Sequence, residues 1–278
     1  MIWPVRFVLD RFFIKQPRLR EWITRMVYGN DDTEIELMGV KLVINRMREN
    51  GYLRASRKVR SSSALSDEMG ALVTLAGLLR PGDTFVDGGA NVGLFCCTMA
   101  RFRATTPGLR VVAFEPHPDT FQRLEQNGKR CGVEVFPFGL SSASGEVEFE
   151  DGAVSHVFAV PQKGVNKSPY TFAGRNRKVQ MRRLDEMIQA PCRVVLKLDV
   201  EGHELEALKG SARLFEAGCV KAVLLDSDEH PAELYEFLKA NGFGLFDARS
   251  LAPQHHWNGA VLALHESFVE RNEGQHLA

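Results

Sequence analysis

The 278-residue chain has no C-x-x-C pair, no net charge and no apolar run long enough to cross a bilayer, and each absence closes a class of function. The five cysteines (Cys96, Cys97, Cys131, Cys192 and Cys219) have no histidine at ligand spacing, so neither a zinc site nor a disulfide framework is expected. Thirty-five basic and 35 acidic residues cancel, so no overall field draws the chain to nucleic acid or to a membrane. Local clusters must carry any charge preference. A membrane span needs roughly 18 consecutive apolar residues, and the N-terminus lacks an uninterrupted apolar core ahead of a small-residue cleavage site. A cytoplasmic protein is expected. There is no internal repeat and no low-complexity tract.

What is present is 44% hydrophobic sequence, enough for one large core and a small appendage. From about Leu65, short apolar runs alternate with helix-like segments, the pattern of a parallel sheet with helices on both faces. The runs are "TFVD", "RVVAFE", "VEVF", "VVLKLD", "KAVLL" and "GAVLAL". The segment "SDEMGALVTLAGLLRPGD" predicts a helix capped by Ser66, with Met69, Leu72, Val73, Ala76 and Leu79 inward and a stop at Pro81-Gly82.

Residues 1–64 break that alternation. Six basic residues (Arg6, Arg11, Lys15, Arg18, Arg20, Arg25) stand against Asp10 and Glu21 and are interleaved with Trp3, Phe7, Phe12, Phe13, Trp22 and Ile23. Two readings stand: a basic amphipathic helix lying on the inner membrane surface, or a helix packed on the domain or on a partner subunit. "EIELMGVKLVI" predicts a hairpin turning at Met38-Gly39 and covering one edge of the core. The chain thus divides into an N-terminal extension (1–64), a ligand-binding domain (65–268) and a polar C-terminal tail (269–278).

"FVDGGANVGLF" places Asp87 at the end of the first strand, and Gly88 to Gly93 turn the chain into a helix reaching about Arg103. Gly88, Ala90 and Gly93 fit a loosened G-x-G-x-x-G, a weak signal alone. A dinucleotide sets its pyrophosphate against that helix N-terminus, where Asp87 would repel it; a cationic ligand would be attracted. Glu115 ends the next strand, where a carboxylate can take both ribose hydroxyls of an adenosine. S-adenosylmethionine has an ammonium, a sulfonium and a ribose, and no phosphate.

With "PGDTFVDGGANVGLF", "AFEPHPDTFQRLEQN", "FPFGLSSASGEVEF", "RRLDEMI" and "LKLDVEGHELEALKG" in that order over roughly residues 68–246, the chain resembles the FkbM-type S-adenosylmethionine-dependent methyltransferases. These mostly methylate hydroxyls of sugars and natural products. The resemblance implies a Rossmann-like seven-stranded sheet with its last strand, "GAVLAL", antiparallel. It implies that Asp87, Gly89, Asn91 and Gly93 line the methionine end, with Gly88 and Ala90 in the same turn. Glu115 would hold the ribose beside Pro116, and the backbone at Gly139-Leu140 would meet the adenine. His117 edges the ribose site and is given no catalytic role.

A second constellation lies in "VVLKLDVEGHELEALKG", read as a buried strand, a break at Gly202, and an amphipathic helix with Leu205, Leu208 and Leu214 inward. A period of two points Lys197, Asp199 and Glu201 to one side, and charges in a central strand are costly unless paired or functional. Methyl transfer is an in-line displacement, so positioning of the acceptor matters first and proton removal second. Asp199, Glu201 and His203 are the candidate positioners or base, with Asp199 nearest the transferred methyl and bound to the cofactor as well. Lys197 neutralises neighbouring carboxylates. These ligand types would also suit magnesium or manganese, but their spacing is not diagnostic and no metal is expected.

Between Pro161 and Arg183 lie seven basic residues (Lys163, Lys167, Arg175, Arg177, Lys178, Arg182, Arg183) and no acid, with Tyr170 and Phe172 interleaved. The segment is either a loop favouring an anionic sugar acceptor or a solvated loop balanced by acids elsewhere. Nucleic acid is not expected: there is no appended basic domain and no N-P-P-Tyr element. The leading function is an O-methyltransferase acting on a sugar, glycan or natural product. A nicotinamide-dependent oxidoreductase rests on the glycine turn alone, and an inactive cofactor-binding module that recruits a partner enzyme rests on the basic N-terminus. Asp226 stands where the family more often has Glu and is given no acceptor role.

Overall fold

The computed structural model describes residues 25–57, 63–151, 158–159, 176–226, 230–257 and 260–268. It begins with strands β1 (Asp32–Leu37) and β2 (Val40–Asn45), followed by helices α1 (Asn50–Arg57) and α2 (Ser63–Leu78). Next come β3 (Thr84–Gly88), α3 (Leu94–Ala100), β4 (Arg110–Phe114), α4 (Pro118–Cys131) and β5 (Glu134–Phe136). Then follow β6 (Phe138–Leu140), β7 (Gly145–Asp151), β8 (Phe158–Ala159), β9 (Asn176–Arg182) and α5 (Leu184–Met187). The last elements are β10 (Val194–Leu198), α6 (Glu204–Lys209), α7 (Ala212–Glu216), β11 (Val220–Leu225), α8 (Pro231–Ala240), β12 (Phe243–Asp247) and β13 (Val261–His265).

Seven strands form one sheet in the order β12-β13-β11-β10-β3-β4-β5. β13, the "GAVLAL" run, is antiparallel to both neighbours, while β11, β10, β3, β4 and β5 pair in parallel. This is the expected Rossmann-like sheet with helices on both faces. Alternate residues feed two cores. Phe85, Val111, Ala113, Val195, Ala222 and Leu224 face the side of α2, α3, α4 and the hairpin. Val86, Val112, Phe114, Leu196, Leu198, Val223 and Leu225 face the side of α6, α7 and α8. Strands buried on both faces read as unbroken apolar runs, which is why the sequence announces them. The order reverses between β3 and β10, and open sheets of this kind bind ligands at the carboxyl ends of the strands there.

Several expectations change. β12, "FGLFD", was not among the predicted runs. The segment from "FPFGL" to Arg182 builds a second, four-stranded sheet, β6-β9-β7-β8. Helix α2 begins at Ser63 and is rotated from the predicted phase: Ala71, Leu72, Leu75 and Leu79 are buried, while Met69 and Val73 are 47% and 73% exposed. The β1–β2 hairpin forms about Met38-Gly39 as expected and covers the core it shares with α3 and α4, with Ile35, Leu37, Val40, Leu42 and Ile44 buried there. The helix predicted after Gly202 is two short ones, α6 and α7, because the chain bends where Gly210 packs on the second sheet: a Cβ there would lie 1.9 Å from the Ser141 carbonyl oxygen. Residues 1–24 and 269–278, which hold most of the predicted basic helix and all of the polar tail, lie outside the described residues. Among the described residues no helix is long and apolar enough to cross a membrane.

Candidate active site

Four neighbouring strands bring an acid to the carboxyl rim of the sheet: Asp226 follows β11, Asp199 follows β10, Asp87 is the second-to-last residue of β3 and Glu115 follows β4. The chain between β3 and α3 is drawn tight against this rim. Gly89 has φ +71°, and a Cβ there would sit 1.9 Å from the Asp199 carbonyl oxygen, so a side chain is excluded by both conformation and space. Gly89 N and Ala90 N both donate to Phe114 O, Gly93 N to Ala90 O, and Cys96 N to Asp87 Oδ2. Those amides are already engaged within the fold and are not free to cradle an anion.

Asp87 is fully buried. Its Oδ1 faces Lys197 Nζ at 3.1 Å, and burial raises its carboxyl above the usual range, opposed first by Lys197. Lys197 also donates to Gly89 O at 3.1 Å, lies 3.6 Å from Asp199 Oδ2, and sits 5.2 Å from the centre of the Phe95 ring. Its ammonium therefore ties β3, the turn and β10 together, the neutralising part expected of it. The Asp199 side chain is 45% exposed and stands open to a ligand.

Glu115 is enclosed, yet both of its oxygens are placed by the backbone. Asn91 N donates to Oε2 at 3.0 Å and His117 N to Oε1 at 2.9 Å. Burial lifts its carboxyl to about 7 against those two bonds. Each carboxylate oxygen can accept a second bond, so the pair can still receive two hydroxyls. Asn91 holds φ +51° to aim its amide at this acid. His117 occupies the N-cap position of α4, with Pro118 at the first helical position, and so fixes the direction in which the chain leaves Glu115. Beside them Pro116 lies 3.6 Å from where a Gly139 Cβ would be, joining Glu115's loop to β6. Phe136 and Phe138 stack there with centroids 6.3 Å apart, and Arg182 lies 5.0 Å above Phe138.

β10 ends at Leu198, so the period of two does not carry through Asp199 to Glu201. Glu201 is exposed in a left-handed turn at φ +52°, and the buried Glu204 holds that turn by accepting from Val200 N at 3.0 Å. His203 is brought instead against the second sheet, where its Nε2 is 2.9 Å from Ser141 Oγ. Burial lowers its pKa, with Glu206 opposing, so the imidazole is neutral at neutral pH and able to take a proton. Among the described residues no three His, Cys, Asp or Glu side chains are grouped to hold a metal ion.

The basic stretch is not one loop. Its described part is β9 and the turn after it, and three of its four charges are met by acids: Arg177 by Asp119 at 3.3 Å, Lys178 by Glu146 at 2.8 Å and Arg183 by Asp185 at 2.6 Å, while Arg182 lies over the Phe138 ring. Lys163, Lys167, Tyr170, Phe172 and Arg175 lie outside the described residues. Ser141 and the acid at Asp226, whose N donates to Leu198 O at 3.4 Å, were given no role from sequence. A polar pair directly after an apolar strand, "GLSS", was the available signal for the first.

Residues 87–245 match the model of a family described as the methyltransferase FkbM domain. The hexuronic acid methyltransferase AglP of Haloferax volcanii is 28% identical over 229 residues, covering 81% of this chain and 87% of that protein. The methyltransferase sdnD of Sordaria araneosa is 31% identical over 155 residues, covering 45% of this chain and 59% of that protein. A solved methyltransferase FkbM from Methylobacillus flagellatus is 17% identical, with a TM-score of 0.43, and the match covers 77% of this chain and 60% of that one.

Proposed function

The chain belongs to the FkbM methyltransferase family, and from that premise we propose that it moves a methyl group from S-adenosylmethionine to a hydroxyl of a sugar, with an anionic sugar such as a uronic acid as the acceptor class. The observation that carries the cofactor is the rim of acids on four adjacent strands, with Glu115 presenting two backbone-fixed oxygens. The donor set suits a diol and a cation. It disfavours a pyrophosphate, because the turn's amides at Gly89, Ala90, Asn91 and Gly93 are already bonded and the charge at the rim is negative.

S-adenosylmethionine supplies an electrophilic methyl on a positively charged sulfur. Glu115 holds the ribose hydroxyls, the half-exposed Asp199 balances positive charge at the switch point, and the loop from Pro116 with Gly139-Leu140 walls the adenine. Neutral His203, steadied by Ser141, takes the acceptor proton. Asp87 serves from inside the wall, holding Lys197 and the start of α3. The acceptor class draws on the relative from Haloferax volcanii, named for a hexuronic acid.

Calorimetric titration with S-adenosylmethionine and separately with NAD tests the cofactor. Binding of the first alone, abolished by Glu115→Ala, is expected; binding of NAD in its place would overturn the proposal. Release of S-adenosylhomocysteine with uronic acid glycosides, and little with their neutral counterparts, is the expected acceptor result. The reverse preference would remove the anionic acceptor.

A further inference from the structure

Three polar connections leave the N-terminal hairpin and end on the walls of the cofactor site, although the hairpin precedes the span matched by the family. In the first, Asn127 of α4, fully buried, accepts from Val43 N at 2.8 Å and donates to Val43 O at 3.0 Å, completing the backbone pairing of β2 as a neighbouring strand would. The same amide donates to Val92 O, in the glycine turn, at 2.8 Å. In the second, Glu49 accepts from Asn45 N at 2.6 Å and from Arg123 Nη2 at 2.9 Å, binding the end of the hairpin to α4. In the third, Arg48 Nη1 lies 3.1 Å from His117 Nε2, and the amide of the same His117 holds Glu115 Oε1. Asn45 fixes where Arg48 and Glu49 point, since its Oδ1 accepts from the amides of Met47 and Arg48 at 3.1 Å each.

Docking of the hairpin does not require these connections. Its apolar face is already buried, and an aliphatic residue at 48 would leave that face intact. Arginine can only donate, so the contact makes Nε2 the acceptor and puts the proton of a neutral His117 on Nδ1. Nδ1 then carries the ring proton and cannot accept from Thr120 N, 3.4 Å away, so the Arg48 contact is the one that fixes the ring. The guanidinium thus clamps the ring whose backbone amide sets one oxygen of Glu115, while Asn127 clamps the turn whose Asn91 amide sets the other. Buried hydrogen bonds of this kind fix direction more than they add stability.

We propose that the hairpin is a wall of the cofactor site and that Arg48 is a positioning residue for Glu115, acting through His117 on the carboxylate that receives the ribose hydroxyls. The inference rests on the proposed role of Glu115. Arg48 touches no ligand in this scheme. Its effect therefore depends on the ribose hydroxyls and not on the rest of the cofactor, which separates it from a general loosening of the fold.

The test uses the full chain, S-adenosylhomocysteine and its 2′,3′-dideoxy analogue, which lacks both hydroxyls, as calorimetric probes, and Arg48→Met, which keeps the aliphatic stem, beside Arg48→Lys. Arg48→Met should weaken S-adenosylhomocysteine about fivefold, the worth of one ordinary hydrogen bond, and change the dideoxy analogue less than about twofold. Arg48→Lys should recover part of the loss. In ligand-free protein, hydrogen exchange of the Asn91 and His117 amides should be faster in Arg48→Met than in wild type. Unchanged affinity with unchanged exchange, or equal loss for both probes, would overturn the proposal. A wild type that binds neither probe would instead overturn the cofactor assignment, and the exchange comparison would still report whether Arg48 holds Glu115's partners.

Discussion

Glu115 is enclosed at the end of β4, and burial lifts its carboxyl from an ordinary 4.5 to about 7 against the pull of the His117 and Asn91 amides. A group raised in this way binds a proton in the folded chain over a window where the unfolded chain has released it. Its contribution to stability is therefore full below pH 4.5 and is lost as pH rises through 7, a loss on the order of 3 kcal/mol for the ligand-free protein. The ligand preference runs the other way, because only the ionised group can accept from two ribose hydroxyls while keeping both backbone bonds. S-adenosylmethionine affinity should thus fall about tenfold per pH unit below 7, measured by calorimetry between pH 6 and pH 8. Glu115→Gln imitates the protonated acid. It should bind weakly at every pH in that range, and its unfolding free energy in urea should vary less with pH than that of wild type. A wild-type affinity that is flat with pH would show that Glu115 does not carry the ribose.

The elements differ in how plainly the sequence declares them. β3, β4, β10 and β11 are buried on both faces, so each is a mainly apolar run, interrupted by Lys197 in β10 and Lys221 in β11, and the strand-end acids Asp87, Glu115 and Asp199 stand out against it. β9 hides because only one face is buried: Val179 and Met181 point in, while Lys178 and Gln180 point out, and the charges mask a period of two. The break between α6 and α7 hides for another reason, since nothing local requires it. Gly210 lies against Ser141 O, and that approach sets the second sheet beside His203, so that Ser141 and His203 meet across 62 positions of sequence. Adding a methyl at this place must move backbone. Gly210→Ala should cost about 2 kcal/mol or more in urea unfolding with an unchanged denaturant slope, as overpacking against a fixed backbone does. It should also displace His203 from Ser141, visible as a change in the histidine titration followed by NMR. A variant as stable as wild type, with the same titration, would mean that the two sheets slide freely.

Across the whole molecule, the glycine turn and the acids that follow it were legible, and the supports behind them were not. Arg48 and Glu49 sit in a segment with no motif, and Asn127 ends the "AFEPHPDTFQRLEQN" stretch with no role read for it; the partners of Asn127, Arg48 and Glu49 lie 84, 69 and 74 positions away, so only the folded chain brings them together. The same distance hides from the sequence how the hairpin of the N-terminal extension meets the domain that follows it. Read alone, the hairpin looks like an appendage; in the fold, Leu42 and Ile44 are wholly buried in the core that contains Phe85, Val92 and Leu124. A shared core predicts shared unfolding. Leu42→Ala removes a fully buried side chain and should cost about 2–5 kcal/mol. If the hairpin were a separate unit, that cost would appear as an early, local transition, with the main unfolding midpoint unmoved. Because the hairpin is joined through Asn127 to the turn and through Glu49 to α4, a single transition at lower denaturant should be seen by both tryptophan fluorescence and far-ultraviolet circular dichroism. Saturation with cofactor at about 100 times its Kd should then return about 2.7 kcal/mol to the variant as to wild type. Two separated transitions in Leu42→Ala, with cofactor raising only the later one, would mean that the hairpin folds apart from the site it touches.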